Sequence, residues 1–81
     1  MNEKQFALKI KEELIEAQQS FQNENDFISV SNVYTIDHIL EFNVDIDKMI
    51  QECKNINISV ERKFIKNEYT KEKEESFIFS L

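Results

Sequence analysis

One histidine, His38, and one cysteine, Cys53, are where acid–base or nucleophilic chemistry in this chain has to start. A general base needs an orienting partner, and a nucleophile or polarising group in reach. Asp37 and Glu41 are near His38 in sequence, but on a strand both point to the opposite face from it. The expectation is a hydrogen-bonded histidine at a hairpin end, not a base. Cys53 falls on an apolar helical stripe between Glu52 and Lys54, a mixed field that does not favour the thiolate. Free cysteine is among the most buried residue types, so Cys53 is expected in the core. A single thiol forms no internal disulfide, and no Cys/His cluster has zinc-ligand spacing.

Asp45 and Asp47 form a D-x-D pair. A calcium loop requires further oxygen ligands at set offsets and a glycine at its sharp turn, and this chain has no glycine. Helix capping and complementation of the helix dipole account for both carboxylates without a metal. The same lack of glycine excludes phosphate-binding loops and dinucleotide fingerprints. The basic residues Arg62, Lys63, Lys66, Lys71 and Lys73 are interrupted by Glu61, Glu68, Glu72, Glu74 and Glu75, which leaves the stretch nearly neutral. A nucleic-acid-binding face needs an uninterrupted positive field. No catalytic residue, cofactor, metal or direct nucleic-acid contact is therefore expected, and the chain reads as a non-enzyme.

Charge distribution is the informative feature. Glu12, Glu13, Glu16, Glu24, Asp26, Asp37, Glu41, Asp45, Asp47 and Glu52 are opposed only by Lys48, so residues 12–52 carry −9 of a chain whose net charge is −6. Residues 1–11 carry +2 and residues 53–81 carry +1. An acidic surface attracts basic partners, repels nucleic acid and can imitate a phosphate backbone. A solvated acidic face that only aids solubility has the same composition.

The elements that must position these groups follow from periodicity. Residues 3–21 predict an amphipathic helix, with Ala7, Ile10, Leu14, Ala17 and Phe21 at 3-4-3-4 spacing and Phe6 and Ile15 widening the stripe. From Ile28 to Val44 the even positions Ile28, Val30, Tyr34, Ile36, Leu40, Phe42 and Val44 suggest period two, folded as a hairpin near residues 33–37. Asp45 predicts the N-cap of a second helix carrying Ile46, Met49, Ile50 and Cys53, closed by Asn55. Ile58, Val60 and Phe64 then alternate in a third strand, and Phe77, Phe79 and Leu81 in a fourth. The expected architecture is α+β, ordered α-β-β-α-β-β: a four-stranded, mainly antiparallel sheet with two helices on one face. The predicted core is Phe6, Ile10, Leu14, Ile28, Val30, Leu40, Phe42, Ile50, Val60, Phe64, Phe77 and Phe79.

At 81 residues the chain makes one domain, residues 1–81, which can spare few apolar side chains to line a cavity. Gly and Pro are both absent, Lys outnumbers Arg nine to one, and Asn, Ile, Lys, Phe and Tyr supply 37 residues, the mark of an AT-rich coding sequence. Its physical consequence is that tight turns fall to Asn or Asp, or are replaced by longer loops. The lack of disulfides, a charged N-terminal stretch and no long apolar run predict a cytoplasmic protein without a membrane segment.

Two functions fit. The first is a small acidic protein-binding module that occupies a basic site on a partner protein, such as a nucleic-acid enzyme. Inhibitors of this size and charge are carried by phages and mobile elements, anti-restriction and anti-CRISPR proteins among them; the analogy is one of size and charge, not of a motif. Its contact residues are expected to be Glu12, Glu13, Glu16, Glu24, Asp26, Asp37 and Glu41. The alternative is a structural or assembly protein acting as a homo-oligomer through apolar surface or a sheet edge. A homodimer through the last strand, SFIFSL, is the expectation there.

Overall fold

A computed structural model describes residues 1–21 and 30–81. The described elements are α1 (Glu3–Phe21), β1 (Ser31–Thr35), α2 (Ile36–Leu40), α3 (Ile46–Asn55), β2 (Ser59–Lys66) and β3 (Lys73–Ser80). The protein is α+β, with three antiparallel strands in the order β1-β3-β2. The fourfold strand count and the α-β-β-α-β-β order are corrected to three described strands and three described helices.

α1 begins with reciprocal capping that its sequence allows. Asn2 Oδ1 accepts from the Gln5 backbone N–H at 2.8 Å, and Gln5 Oε1 accepts from the Asn2 N–H at 3.0 Å. Phe6, Ala7, Ile10 and Leu14 are buried, whereas Ile15, expected on the stripe, lies on the exposed side.

The long period-two stretch does not form a hairpin. β1 ends at Thr35, whose side chain accepts from the His38 N–H at 3.2 Å and so caps a short helix. Ile39 is the residue that decides this, because it has odd parity yet is fully buried. Leu40, expected in the core, is consequently 49% exposed. Ile28, also placed in the core, lies outside the described residues.

α3 follows the sequence reading. Asp45 caps it by accepting from the Lys48 N–H at 3.1 Å, and Met49 and Cys53 are buried. Its C-terminus closes with Asn57 N–H on the Lys54 carbonyl and Ile58 N–H on the Cys53 carbonyl, at 3.1 and 2.9 Å. This closure needs a left-handed residue, and Asn57 supplies it at φ 64°. Asn43, in the turn after α2, sits at φ 56°. Asparagine thus fills two positions that glycine usually takes, and Lys71 fills a third at φ 62°.

The helices pack on the sheet face that presents Phe77 and Phe79, which join Phe6, Ile10, Leu14, Ile39, Val44, Met49, Cys53 and Ile58 in the core. Val30, Phe42, Ile50 and Val60 are half-buried at its margin. β3, expected as a terminal edge, is the central strand. β1 reaches only Ser76–Ser80 of it, so β2 and the first part of β3 continue as a two-stranded arm. Phe64 is on that arm, opposite Glu75, and is 69% exposed. Its parity is the core parity; among the described residues no third strand lies beside it there.

Candidate functional site

Period-two geometry turns Asn32 and Tyr34 of β1 to the side on which α1 packs, since they pair with Phe79 and Phe77. On α1, Lys9 and Glu13 are one helical turn apart and meet them. Tyr34 donates to Glu13 Oε2 at 2.7 Å, and Asn32 Nδ2 donates to the same oxygen at 3.1 Å. Lys9 Nζ pairs with Glu13 Oε1 and donates to the Tyr34 oxygen at 3.3 Å.

An aromatic ladder runs beside this cluster. The exposed His38 ring stacks on Tyr34, with centroids 4.8 Å apart and planes at 19°. Phe42 lies 5.6 Å from His38, with the planes tilted by 30°. Lys9 Nζ stands 5.7 Å from the Tyr34 centroid and 5.6 Å from that of Phe42, within cation–π range. Phe6 meets Tyr34, Phe42 and Phe79 edge-on at 5.9, 5.4 and 6.1 Å, so the ladder is continuous with the core.

Electrostatics follow from these contacts. Burial pushes the Glu13 carboxyl up, but hydrogen bonds from Lys9 and Tyr34, with the nearby charges of Lys9 and His38, hold it below its ordinary value. The Glu13 hydrogen bond raises the Lys9 ammonium against the opposing effect of burial. Burial first, and then the bond to Glu13, raises the Tyr34 phenol. Glu13 is thereby a fixed anion that docks α1 on β1.

The other expected contact residues divide into two groups. Glu12 and Glu16 are exposed on α1, one turn apart on the flank that carries Lys9 and Glu13. Asp37 and Glu41 are exposed one turn apart at α2, with the Glu41 N–H on the Asp37 carbonyl at 3.2 Å. The stacking of His38 on Tyr34 packs α2 against β1, and Lys9 of α1 reaches Phe42, two residues past the end of α2. Glu24 and Asp26 lie outside the described residues. Sequence reasoning did not place Lys9, Asn32 or Tyr34 at a site, and it read Phe42 only as a core residue. The Lys9–Glu13 spacing was a usable signal, but the register of α1 against β1 was not visible.

Cys53 is buried with its Sγ 3.9 Å from Met49 Sδ, and burial, aided by Glu52, pushes its thiol up to about 11. On the hairpin arm, Arg62 pairs with Glu75 and lies 5.2 Å from the Phe77 ring. Among the described residues no group of three His, Cys, Asp or Glu side chains could hold a metal ion, and no helix is long and apolar enough to cross a membrane. Two shallow depressions, one at Asn2, Glu3, Lys48 and Glu52 and one at Lys54, Asn57 and Val60, lie apart from the His38 ladder. Compared with models of protein families, with curated proteins and with solved structures, the chain matches none.

Proposed function

We propose that this protein is a small non-enzymatic binding module whose acidic flank, Glu12 and Glu16 of α1 with Asp37 of α2 and Glu41 at its C-cap, engages a basic surface on another protein. One observation carries the reading. These are two exposed pairs of like charge at i,i+4 spacing, and among the described residues none of the four has an ion-pair partner. Such a pair costs an isolated helix about 0.2–0.5 kcal/mol. A cationic partner would convert that repulsion into attraction. Glu13 is excluded from the contact set, because its oxygens are occupied by Lys9, Asn32 and Tyr34. The aromatic ladder beside the acids offers apolar surface and the Tyr34–His38 stack to the same partner. A protein that binds nucleic acid presents a basic site of this kind, and occupying it would inhibit that protein.

The test is capture of partners from a lysate of the native host, followed by salt-dependent titration of the captured protein. Reversal of Glu12 and Glu16 to Lys should weaken binding far more than reversal of Glu68 and Glu72, whose field is offset by Lys66, Lys71 and Lys73. Association should slow as salt rises, since the Debye length shrinks from ~10 Å at 0.1 M to ~3 Å at 1 M. Equal losses from the two reversals, or affinity indifferent to salt, would reduce the acidic flank to a solubility device.

A further inference from the structure

β2 is an edge of the sheet: one side pairs with β3, and among the described residues no strand pairs with the other. Of its eight residues only Val60 is half-buried; Ser59 and Glu61–Lys66 are exposed. An open row of backbone donors and acceptors recruits a further strand unless the side chains prevent it. The side chains of β2 prevent most strands, because Glu61, Arg62, Lys63 and Lys66 put charge on both faces. They are complementary to one strand in particular, which is β2 itself.

We infer that β2 pairs antiparallel with β2 of a second copy of this chain, about a two-fold axis passing through Arg62. In that register Glu61 faces Lys63 of the second copy, and Lys63 faces its Glu61. Residues directly opposite in an antiparallel pair share a face. Glu61 and Lys63 already pair at 3.3 Å within one chain, so the dimer carries four alternating charges in a square. On the other face Val60 and Phe64 of each copy oppose Phe64 and Val60 of its partner. That contact covers the Phe64 ring, which is left 69% exposed in the single chain. The two arginines meet at the axis, and each is offset by its own Glu75 and by the Phe77 ring. Moving the axis by one residue, to Lys63, slides the strands by two and sets Lys63 against Lys63 and Glu61 against Ile65, so both complementary contacts are lost. The outcome is a six-stranded sheet whose α1 flanks are free, and the inference stands whether or not that flank binds a basic partner.

Sedimentation equilibrium on the wild type, E61K, K63E and E61K/K63E tests it. The wild type should dimerise by high micromolar concentration. Each single reversal sets like charges opposite twice per dimer and should weaken association roughly tenfold. The double variant restores opposite charges and should recover. An equimolar mixture of E61K and K63E should associate more tightly than either alone. A monomeric wild type would overturn the inference and make the charges of β2 a device that protects the edge. A dimer indifferent to all three variants, or a mixture no tighter than its components, would overturn it in favour of another surface.

Discussion

The Tyr34 hydroxyl donates to Glu13 Oε2 at 2.7 Å, and this bond ties the middle of α1 to an edge strand twenty-one residues along the chain. Asn32 and Lys9 complete the ring of donors around the same carboxylate. Hydrogen bonds to charged groups contribute about 1.5–3 kcal/mol when dry, and this one is half-buried. Tyr34→Phe should therefore cost about 1 kcal/mol in urea denaturation, below that range because water reaches the pair. An unchanged midpoint would mean that water or Lys9 replaces the phenol without loss.

Glu13 predicts a pH dependence of stability. Its folded pKa is held below the ordinary value, so its contribution is present above the unfolded pKa of about 4.3 and is lost as pH falls through the lower folded value. Glu13→Gln should be less stable than wild type at pH 7, with the gap closing as the buffer is taken below about pH 4. Urea midpoints at neutral and acidic pH measure this directly. A gap of constant size would show that the carboxylate's charge is not what docks α1.

Phe79 and Phe64 lie on the same face of neighbouring strands, but one is fully buried and the other 69% exposed. Phe79→Ala should cost about 3–5 kcal/mol, the usual figure for a buried phenylalanine. Phe64→Ala should shift stability of the monomer by no more than about 0.5 kcal/mol. Comparable losses, measured at low protein concentration, would place a packing layer under the hairpin arm.

Burial of Cys53 predicts an inert thiol. With its pKa pushed up to about 11, its thiolate at pH 7.5 is scarcer than in an exposed cysteine by a factor of order 10². Ellman's reagent should react slowly with the native protein and quickly in urea. A fast native reaction would place Cys53 at the surface.

Lys71 adopts φ 62° in the loop between β2 and β3, where its N–H donates to the Asn67 carbonyl at 2.8 Å. A left-handed conformation costs a residue with a Cβ about 1–2 kcal/mol, and glycine almost nothing. Lys71→Gly should stabilise the domain by about 0.5–1 kcal/mol, part of the relief being lost to the freer unfolded chain. A destabilised variant would mean that the Lys71 side chain supports the turn.

Local signals carried much of the fold. The 3-4-3-4 stripe located α1, Asp45 located the start of α3, and alternation located β2 and β3. These features concern residues within one or two turns of each other, where capping and amphipathicity act without help from the rest of the chain. The absence of glycine likewise pointed to Asn or Asp for the left-handed turns, and Asn43 and Asn57 are such residues, whereas the third, Lys71, is neither.

The stretch from Ile28 to Val44 was ambiguous, because Ile36 and Leu40 satisfy both a period of two and a spacing of four. Thr35 and Ile39 held the answer: a hydroxyl able to cap, and a buried position out of phase with a strand. Strand order lay beyond local reasoning. The last strand became the centre of the sheet because β1 and β2 both pair with it, and that pairing joins residues as far apart as Ser31 and Ser80. It moved the sheet edges from SFIFSL to β1 and β2, and it left Phe64 exposed on the two-stranded arm.

For the candidate site, the sequence by itself determined which residues are acidic and which of them share a helical flank. Only the tertiary structure decided that Glu13 is consumed in docking α1 on β1, while Glu12 and Glu16 stay exposed. The three carboxylates are alike in type and nearly alike in position. What separates them is the presence of Asn32 and Tyr34 across the interface, and a contact between distant segments is set by how the layers pack, not by the periodicity of either one.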